Sequence, residues 1–434
     1  MTIIDTVEIF YSRFVVGRIF VDSETGLSFS YENKWKNTAG NFPISTTMPV
    51  GDDQYETILP WIANLLPEEQ QLASLTEILK LASSDPLALL KEIGGDTAGA
   101  LSIGEPSERD NWKFISLKEY YGAKNEETSL IAHVSDLEQR PFMAGEEGIR
   151  LSLAGGQKKT VLTVLGTNNK PKLGLPEEGD QLAIPTAGAP STIIVKPQNE
   201  RLPGIVENEA YCLALARLIG IEAVEAMISK AGDKKLLIVS RYDRSVTGNG
   251  GIKRLHQEDF AQANGIYPTQ KYEKGTVPGL TLKALMQTGK RLQPADRPKL
   301  LDQVIFNILI GNTDAHAKNY SILLNDCTLA PLYDVSTVLL WKKQNINQKY
   351  AQKLAGKSRE TKRLEGRHWD IIAKEIGANP RNLKVQIRKI VDAMVTKRNE
   401  AIELISCQPD ASEESVKEFA EVIEQNALTI EKQL

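Results

Sequence analysis

The chain has 434 residues, 41% of them hydrophobic and 25% charged, which suffices for two or three cores of ordinary size and is too apolar for a disordered chain. Its 52 basic and 56 acidic residues leave a formal net charge of -4, so bulk charge points to neither nucleic acid nor an anionic membrane as a partner. Three dispersed cysteines, Cys212, Cys327 and Cys407, form no Cys-x-x-Cys pair, which excludes a zinc ribbon or dithiol centre and fits a reducing cytoplasm.

Met1 to Phe10 mixes Asp5 and Glu8 into apolar residues, without the basic start and cleavage site of a secretory signal. No apolar run approaches the ~20 residues of a membrane span. The pattern then predicts a hairpin, Val16 to Val21 and Leu27 to Tyr31 around a turn at Ser23 to Gly26. Ile58, Ile62, Leu65, Leu72, Leu75, Ile78 and Leu79 keep helical spacing between Tyr55 and Leu81, broken at Pro60 and Pro67. Asp85 and Pro86 open a short helix that Gly94 closes, and a Gly-rich turn leads to a strand from Ala100 to Ile103. Gly104 to Gln139 is polar and charge-rich, and reads as an irregular surface excursion. Strands follow at Leu151 to Leu165, around a loop at Ala154 to Thr160, and at Thr192 to Lys196 and Leu236 to Tyr242. A helix is expected from Val206 to Ile219, ended by Gly220. Beyond Gln257 the chain is mainly helical, with two short strands flanking Asp326. Strands first and helices later argue for an α+β, two-lobed architecture. The expected divisions are 1–110, 111–245 and 246–434.

The segment that carries chemistry runs from Ile310 to Asn319 and on through a hairpin to Tyr333-Asp334. Phosphoryl transfer requires a carboxylate to orient the acceptor hydroxyl, an amide oxygen and a second carboxylate for Mg²⁺, and a cation on the phosphates. Asp314 and Asn319 stand five apart, the spacing of base and metal-binding Asn in a kinase catalytic loop, and the hairpin delivers Asp334 as second metal ligand. A lone Asp-x-x-x-x-Asn equally describes a capped loop; the joint pattern with an upstream basic strand residue favours catalysis. That residue is Lys196, with Glu209 in the first turn of the next helix to steady it. His316 is assigned a supporting place, since a single histidine is more often a hydrogen-bonded loop residue than a metal ligand. The loop Ala154-Gly155-Gly156-Gln157-Lys158-Lys159-Thr160 can cradle phosphate or be an ordinary turn; it lacks the glycine placement of a Walker A motif.

Taken in order, Leu151 to Thr160, Val239 to Arg244, Gln257-Glu258-Asp259, Gly311 to Asn319 and Leu332-Tyr333-Asp334 resemble the motifs of the HipA kinase toxins. Asn64-Leu65-Leu66-Pro67 and Ile93 to Ala100 extend the resemblance over nearly the whole chain. It implies a serine kinase with ATP between two lobes, Asp314 as catalytic base, Asn319 and Asp334 on Mg²⁺, and Lys196 on phosphate. It further implies a mobile phosphate loop at Ala154 to Lys159, a hinge at Ser240, Arg241 and Tyr242, and ATP contacts from His316, Ala317, Lys318 and Tyr333. Ser240 stands where the family often has an acidic residue. Ser152 matches the serine whose autophosphorylation expels the phosphate loop.

The same resemblance implies a small HipB-like helix-turn-helix antitoxin, operator DNA reached through that complex, and an aminoacyl-tRNA synthetase, glutamyl-tRNA synthetase by analogy, as substrate. Nine basic residues between Lys342 and Arg367 face only Glu360 and Glu365; composition alone makes this a solvated loop. Lys374 is the nearest match to a family DNA contact, while a second basic position of the family is Gly377 here. Two other readings stay open at this level: a kinase of the same fold acting on another protein or a lipid, and an idle co-repressor that only binds antitoxin and DNA. Retention of Lys196, Asp314, Asn319 and Asp334 weighs against the second.

Overall fold

The computed structural model describes residues 2–107, 112–248, 251–274, 277–361 and 364–434. Alternating apolar residues build its first sheet, four antiparallel strands in the spatial order Gly26–Tyr31, Phe14–Asp22, Ile3–Tyr11, Leu101–Ile103. The predicted hairpin is present, its turn held by Asp22 Oδ1, which accepts from the Glu24 and Thr25 N–H groups at 2.9 Å each. The start of the chain, given no element by the sequence pattern, is a central strand: Val7 and Ile9 are buried while Ile3 and Ile4 stay exposed. One face of this sheet packs on Ile58–Ala63 and Pro86–Ile93, with Trp61, Ile62 and Leu90 in the shared core. Asp85 caps the second of these helices as expected, its Oδ1 accepting from Ala88 N–H at 2.9 Å.

The excursion from Gly104 is more ordered than its polarity suggests. Its described part contains the strand Lys113–Ser116 and the helices Leu117–Tyr120 and Glu126–Asp136. Leu117, Leu130 and Val134 are buried at wide spacing, and this sparse apolar face was masked by the charged residues between them. Lys113–Ser116 is the edge of a second sheet, ordered Ala226–Ala231, Lys234–Ser240, Ile193–Pro197, Thr160–Leu165, Gln181–Thr186, Lys113–Ser116, with Pro171–Lys172 paired to Thr160–Leu165. Only the later half of the predicted Leu151 to Leu165 strand is regular; Leu151 makes a lone parallel bridge to Asp96.

The remainder is helical, as expected. Arg297–Leu309, Pro380–Ser406 and Glu413–Lys432 enclose the largest core together with Ile205–Leu218. The short strands Ser321–Leu323 and Thr328–Leu329 pair with Gln257–Asp259. The architecture is α+β with a strand-rich lobe and a helical lobe, and among the described residues no helix is long and apolar enough to cross a membrane.

Candidate active site

A cavity of about 400 Å³ lies between the second sheet and the helical lobe, and residues of the first subdomain, Asn64, Leu65, Glu68 and Glu69, close one end. Lys196 reaches it because strand side chains alternate: Val195 is fully buried in the sheet's core, so its neighbour points to the other face. The Lys196 amine donates to Glu209 at 2.7 Å and to Asp334 at 2.9 Å. Glu209 lies on Ile205–Leu218, one residue further from the helix start than the sequence pattern placed it. Burial alone would push the Lys196 amine down, but the two carboxylates outweigh it and hold the group charged. Burial likewise raises Asp334, and Lys196 and Lys159 outweigh it, so that carboxylate sits well below its usual range. Asp334 has φ of 56°, the left-handed region that aspartate tolerates better than most residues.

The catalytic-loop segment is pinned by its own polar groups. Helix Arg297–Leu309 ends at Gly311, whose φ of 72° turns the chain. Asn312 is buried, donates to Asn307 Oδ1 at 2.8 Å and accepts the Asp314 N–H at 2.9 Å. The Asp314 carbonyl then accepts from His316 N–H at 2.7 Å and from Asn319 Nδ2 at 2.8 Å. That last bond fixes the Asn319 amide so that its oxygen remains an acceptor, the half of the group a hard cation needs. Asp314 itself is exposed at the cavity's edge, its Oδ1 accepting from the Tyr272 hydroxyl.

The loop from Ala154 to Lys159 lines the cavity with Ala154, Gly155, Gly156, Gln157 and Lys159. Gly155 has φ of 104°, and a Cβ there would stand 2.7 Å from Lys159 Nζ; at Gly156 a Cβ would stand 2.9 Å from Glu69 Oε2. Gly155 is favoured by its φ, which side chains rarely adopt, whereas at Gly156 the Glu69 carboxylate could swing aside. Lys159 is buried, donates to the Ala154 carbonyl at 2.7 Å, and burial pulls its amine down to about 8. Lys158 is not brought in: it is exposed and outside the lining, in the stretch just before the strand Thr160–Leu165. Ala317 is buried beneath the loop without lining the cavity.

Tyr242 and Tyr333 stack at 5.5 Å between ring centres, and Tyr242 donates to Gln257 Oε1 at 3.0 Å. Ser240 is half-buried, its N–H held by Glu225 O at 2.9 Å. Arg241 borders the cavity, but its guanidinium forks onto Asp243 at 2.9 and 2.7 Å and onto Ser191 Oγ at 2.9 Å, so it offers no charge to a ligand. Lys318 lines the cavity with its amine on Glu68 Oε1 at 2.7 Å, and Lys271 takes Glu68 Oε2 at 2.6 Å. Burial raises Glu68, but the two amines outweigh it and set it at about 2. His316 is buried, which lowers its pKa, and its Nδ1 has no hydrogen-bond partner among the described residues. A buried, unpartnered ring nitrogen in a cavity wall fits a polar ligand group. Ser152 lies outside the lining, fully buried, its hydroxyl donating to Leu65 O at 2.9 Å. Glu68, Lys271 and Tyr272 escaped the sequence pattern because nothing local marks them.

Comparison with known proteins matches residues 151–398 to the HipA-like C-terminal domain and residues 7–104 to the HipA N-terminal domain. The chain belongs to the HipA family. "Putative kinase Y4mE" of Sinorhizobium fredii is 33% identical over 87% of each chain. The serine/threonine-protein kinase toxin HipA of Shewanella oneidensis is 29% identical over 78% of this chain and 76% of its own. The solved Shewanella oneidensis complex of HipA, HipB and operator DNA contains a chain of the same fold, with a TM-score of 0.78, 23% identity and coverage of 98% and 99%. The HipA family and fold are thereby established.

Proposed function

We propose that this HipA-family chain is an ATP-dependent protein serine/threonine kinase in which Asp314 orients the acceptor hydroxyl and takes its proton. The observation that carries this reading is the convergence, in one cavity, of Lys196, Glu209, Asp314, Asn319 and Asp334 from separate segments. Bound MgATP supplies the phosphoryl group. The donor set fits it: Asn319 and Asp334 offer hard oxygens, and Mg²⁺ commonly takes one or two protein oxygens and completes its shell with water and phosphate. Lys196, steadied by Glu209, would hold the phosphates, with Lys159 and the loop glycines above them. Tyr242 and Tyr333 offer a flat wall to an aromatic base, with Ser240 to Tyr242 as hinge, and Lys318 and His316 flank the phosphates.

By family likeness the domain divisions 1–110, 111–245 and 246–434 are carried over; the first boundary falls outside the described residues. A cytoplasmic toxin–antitoxin role is carried over too, with a HipB-like antitoxin, operator DNA reached through it, and an aminoacyl-tRNA synthetase as acceptor whose modification inhibits translation. Lys374 is exposed on Gly366–Ile376 and available for a phosphate contact. Gly377 caps that helix at φ of 76°, where a basic side chain would be strained, which accounts for the missing second contact. Autophosphorylation at Ser152 would place nearly two negative charges against the Leu65 carbonyl, so the modified residue could not return to its present pocket.

Purified protein incubated with Mg²⁺ and γ-labelled ATP is expected to transfer phosphate, read by mass spectrometry. Asp314→Asn should abolish transfer while leaving ATP bound, and Asp334→Ala should weaken MgATP binding by on the order of tenfold or more. Normal turnover in either variant would remove the assigned roles.

A further inference from the structure

A carboxylate that orients an acceptor hydroxyl needs one oxygen facing the cleft, yet here that oxygen is already occupied from within the chain. The Tyr272 hydroxyl donates to Asp314 Oδ1, and Tyr272 lines the same cavity as Asp314, Asn319 and Lys196. Its ring is set edge-on against His316, with 4.9 Å between centres and 85° between planes, and Lys271 Nζ lies 5.5 Å from the ring centre. The backbone on both sides is bonded to the frame: Ala317 N–H donates to Lys271 O at 3.2 Å, and Glu273 N–H donates to Ala351 O at 3.1 Å. Lys271 and Glu273 are also tied by side chain, to Glu68 Oε2 at 2.6 Å and to Lys353 N–H at 2.7 Å. The hydroxyl can therefore leave Asp314 by side-chain rotation while the segment stays in place.

Resting on the kinase reading, we propose that Tyr272 is a tethered cap on the acceptor position, a positioning residue whose hydroxyl holds Asp314 against water until a protein acceptor displaces it. A phenol is well suited to this. Its hydroxyl occupies one oxygen of the otherwise exposed carboxylate, and its ring lines the cavity into which an attacking oxygen must come. A seryl or threonyl hydroxyl presented by a docked protein replaces one hydrogen bond with another, whereas a lone water brings no docking contacts with which to move the ring. The cap would thus favour protein hydroxyls over water at a carboxylate that is otherwise open to the cleft. In that hydrolysis water oxygen would bond to the γ-phosphorus, the bond from that phosphorus to the bridging oxygen would break to leave ADP, and the water proton would pass to Asp314.

The full-length protein, Tyr272→Phe, Tyr272→Ala and Asp314→Asn are compared with MgATP alone, following phosphate release, ATP affinity by calorimetry, thermal midpoint and sites of phosphorylation. The cap predicts that Tyr272→Ala releases phosphate about tenfold faster than the parent, the equivalent of losing one hydrogen-bonded competitor, with ATP affinity within about twofold. Tyr272→Phe keeps the ring against His316 and is expected to show a smaller rise in the same direction at an unchanged midpoint. Unchanged or slower release in both Tyr272 variants, beside a parent whose transfer still depends on Asp314, overturns the cap and leaves the kinase reading standing. Phosphate found on Tyr272 itself overturns the cap in favour of an acceptor in cis. Absence of release and transfer in all four proteins with ATP bound removes both readings.

Discussion

Lys159 is the residue whose chemistry its surroundings change most usefully. Burial pulls its amine down to about 8 from an ordinary 10.5, so a proton normally secure at neutral pH becomes labile just above it. Phosphates favour the charged form, and binding therefore takes up a proton wherever the free amine has lost one. The sign follows: MgATP affinity should be level below about pH 8 and weaken above it, by roughly tenfold per pH unit at most, until the amine of the complex also titrates. Calorimetry between pH 7 and pH 9.5 checks this, and Lys159→Arg, which stays charged, should flatten the slope. Lys196 lies beside it and behaves oppositely, because two carboxylates rather than a carbonyl meet its amine. Both lysines were legible as candidates; which of them titrates near neutrality depends on neighbours up to 138 residues away.

At the level of elements, the phosphate loop is held by a part of the chain that sequence reading assigned only to a separate subdomain. Pro67 bridges Gly155, the Glu68 N–H donates to Gly155 O at 3.1 Å, and the Gln71 side chain donates to Gly155 O at 3.3 Å and also to Gln157 O. Glu68 meanwhile reaches Lys318 in the catalytic loop, so one short stretch before Glu69–Leu79 spans both walls of the cavity. Gln71→Ala should free the loop without touching the carboxylates, each lost hydrogen bond contributing on the order of 1 kcal/mol. Faster amide exchange at 154–158 and weaker ATP binding are expected, with the residues of Arg297–Leu309 unaffected. Equal exchange in parent and variant would show that the loop holds itself. The loop's glycines were readable as a phosphate cradle; the clamp was not, because a glutamine 84 residues upstream carries no mark of its partner.

At the level of the whole molecule, a buried charge cluster joins the first subdomain to the hinge. Asp96 Oδ1 accepts from Arg244 at 2.8 Å and Arg254 at 2.9 Å, and its Oδ2 accepts from Ser191 Oγ at 2.6 Å. Arg241 shares Ser191 and forks onto Asp243, which also accepts the Gly99 N–H at 2.7 Å. Burial opposes the Asp96 charge, but the arginines outweigh it and hold the carboxyl far below its usual range. Removing one partner of such a network leaves charges buried without compensation. Asp96→Asn should cost about 3–5 kcal/mol, read as a lower denaturant midpoint. A change under about 1 kcal/mol would mean that the Asp96 charge is not what holds the arginines.

The sequence by itself determined the local devices, because each depends on residues close together in the chain. These include the Asp85 cap, the hairpin at Ser23 to Gly26, the five-residue step from Asp314 to Asn319 and the hairpin that carries Asp334. It also determined the α+β order, since periods of two and 3.6 are written in neighbouring side chains. It understated Ile3–Tyr11 and Glu126–Asp136, where acidic residues on the solvent face diluted the apolar pattern. Only the tertiary structure decided which charges meet. Lys158 and Lys159 are adjacent and alike, yet one is exposed and the other buried at the cavity. Arg241 keeps its place beside the cavity, but its guanidinium is committed to a buried network. Tyr272 reaches Asp314 across 42 residues. Partners at such separations are selected by packing and desolvation, which no local pattern encodes.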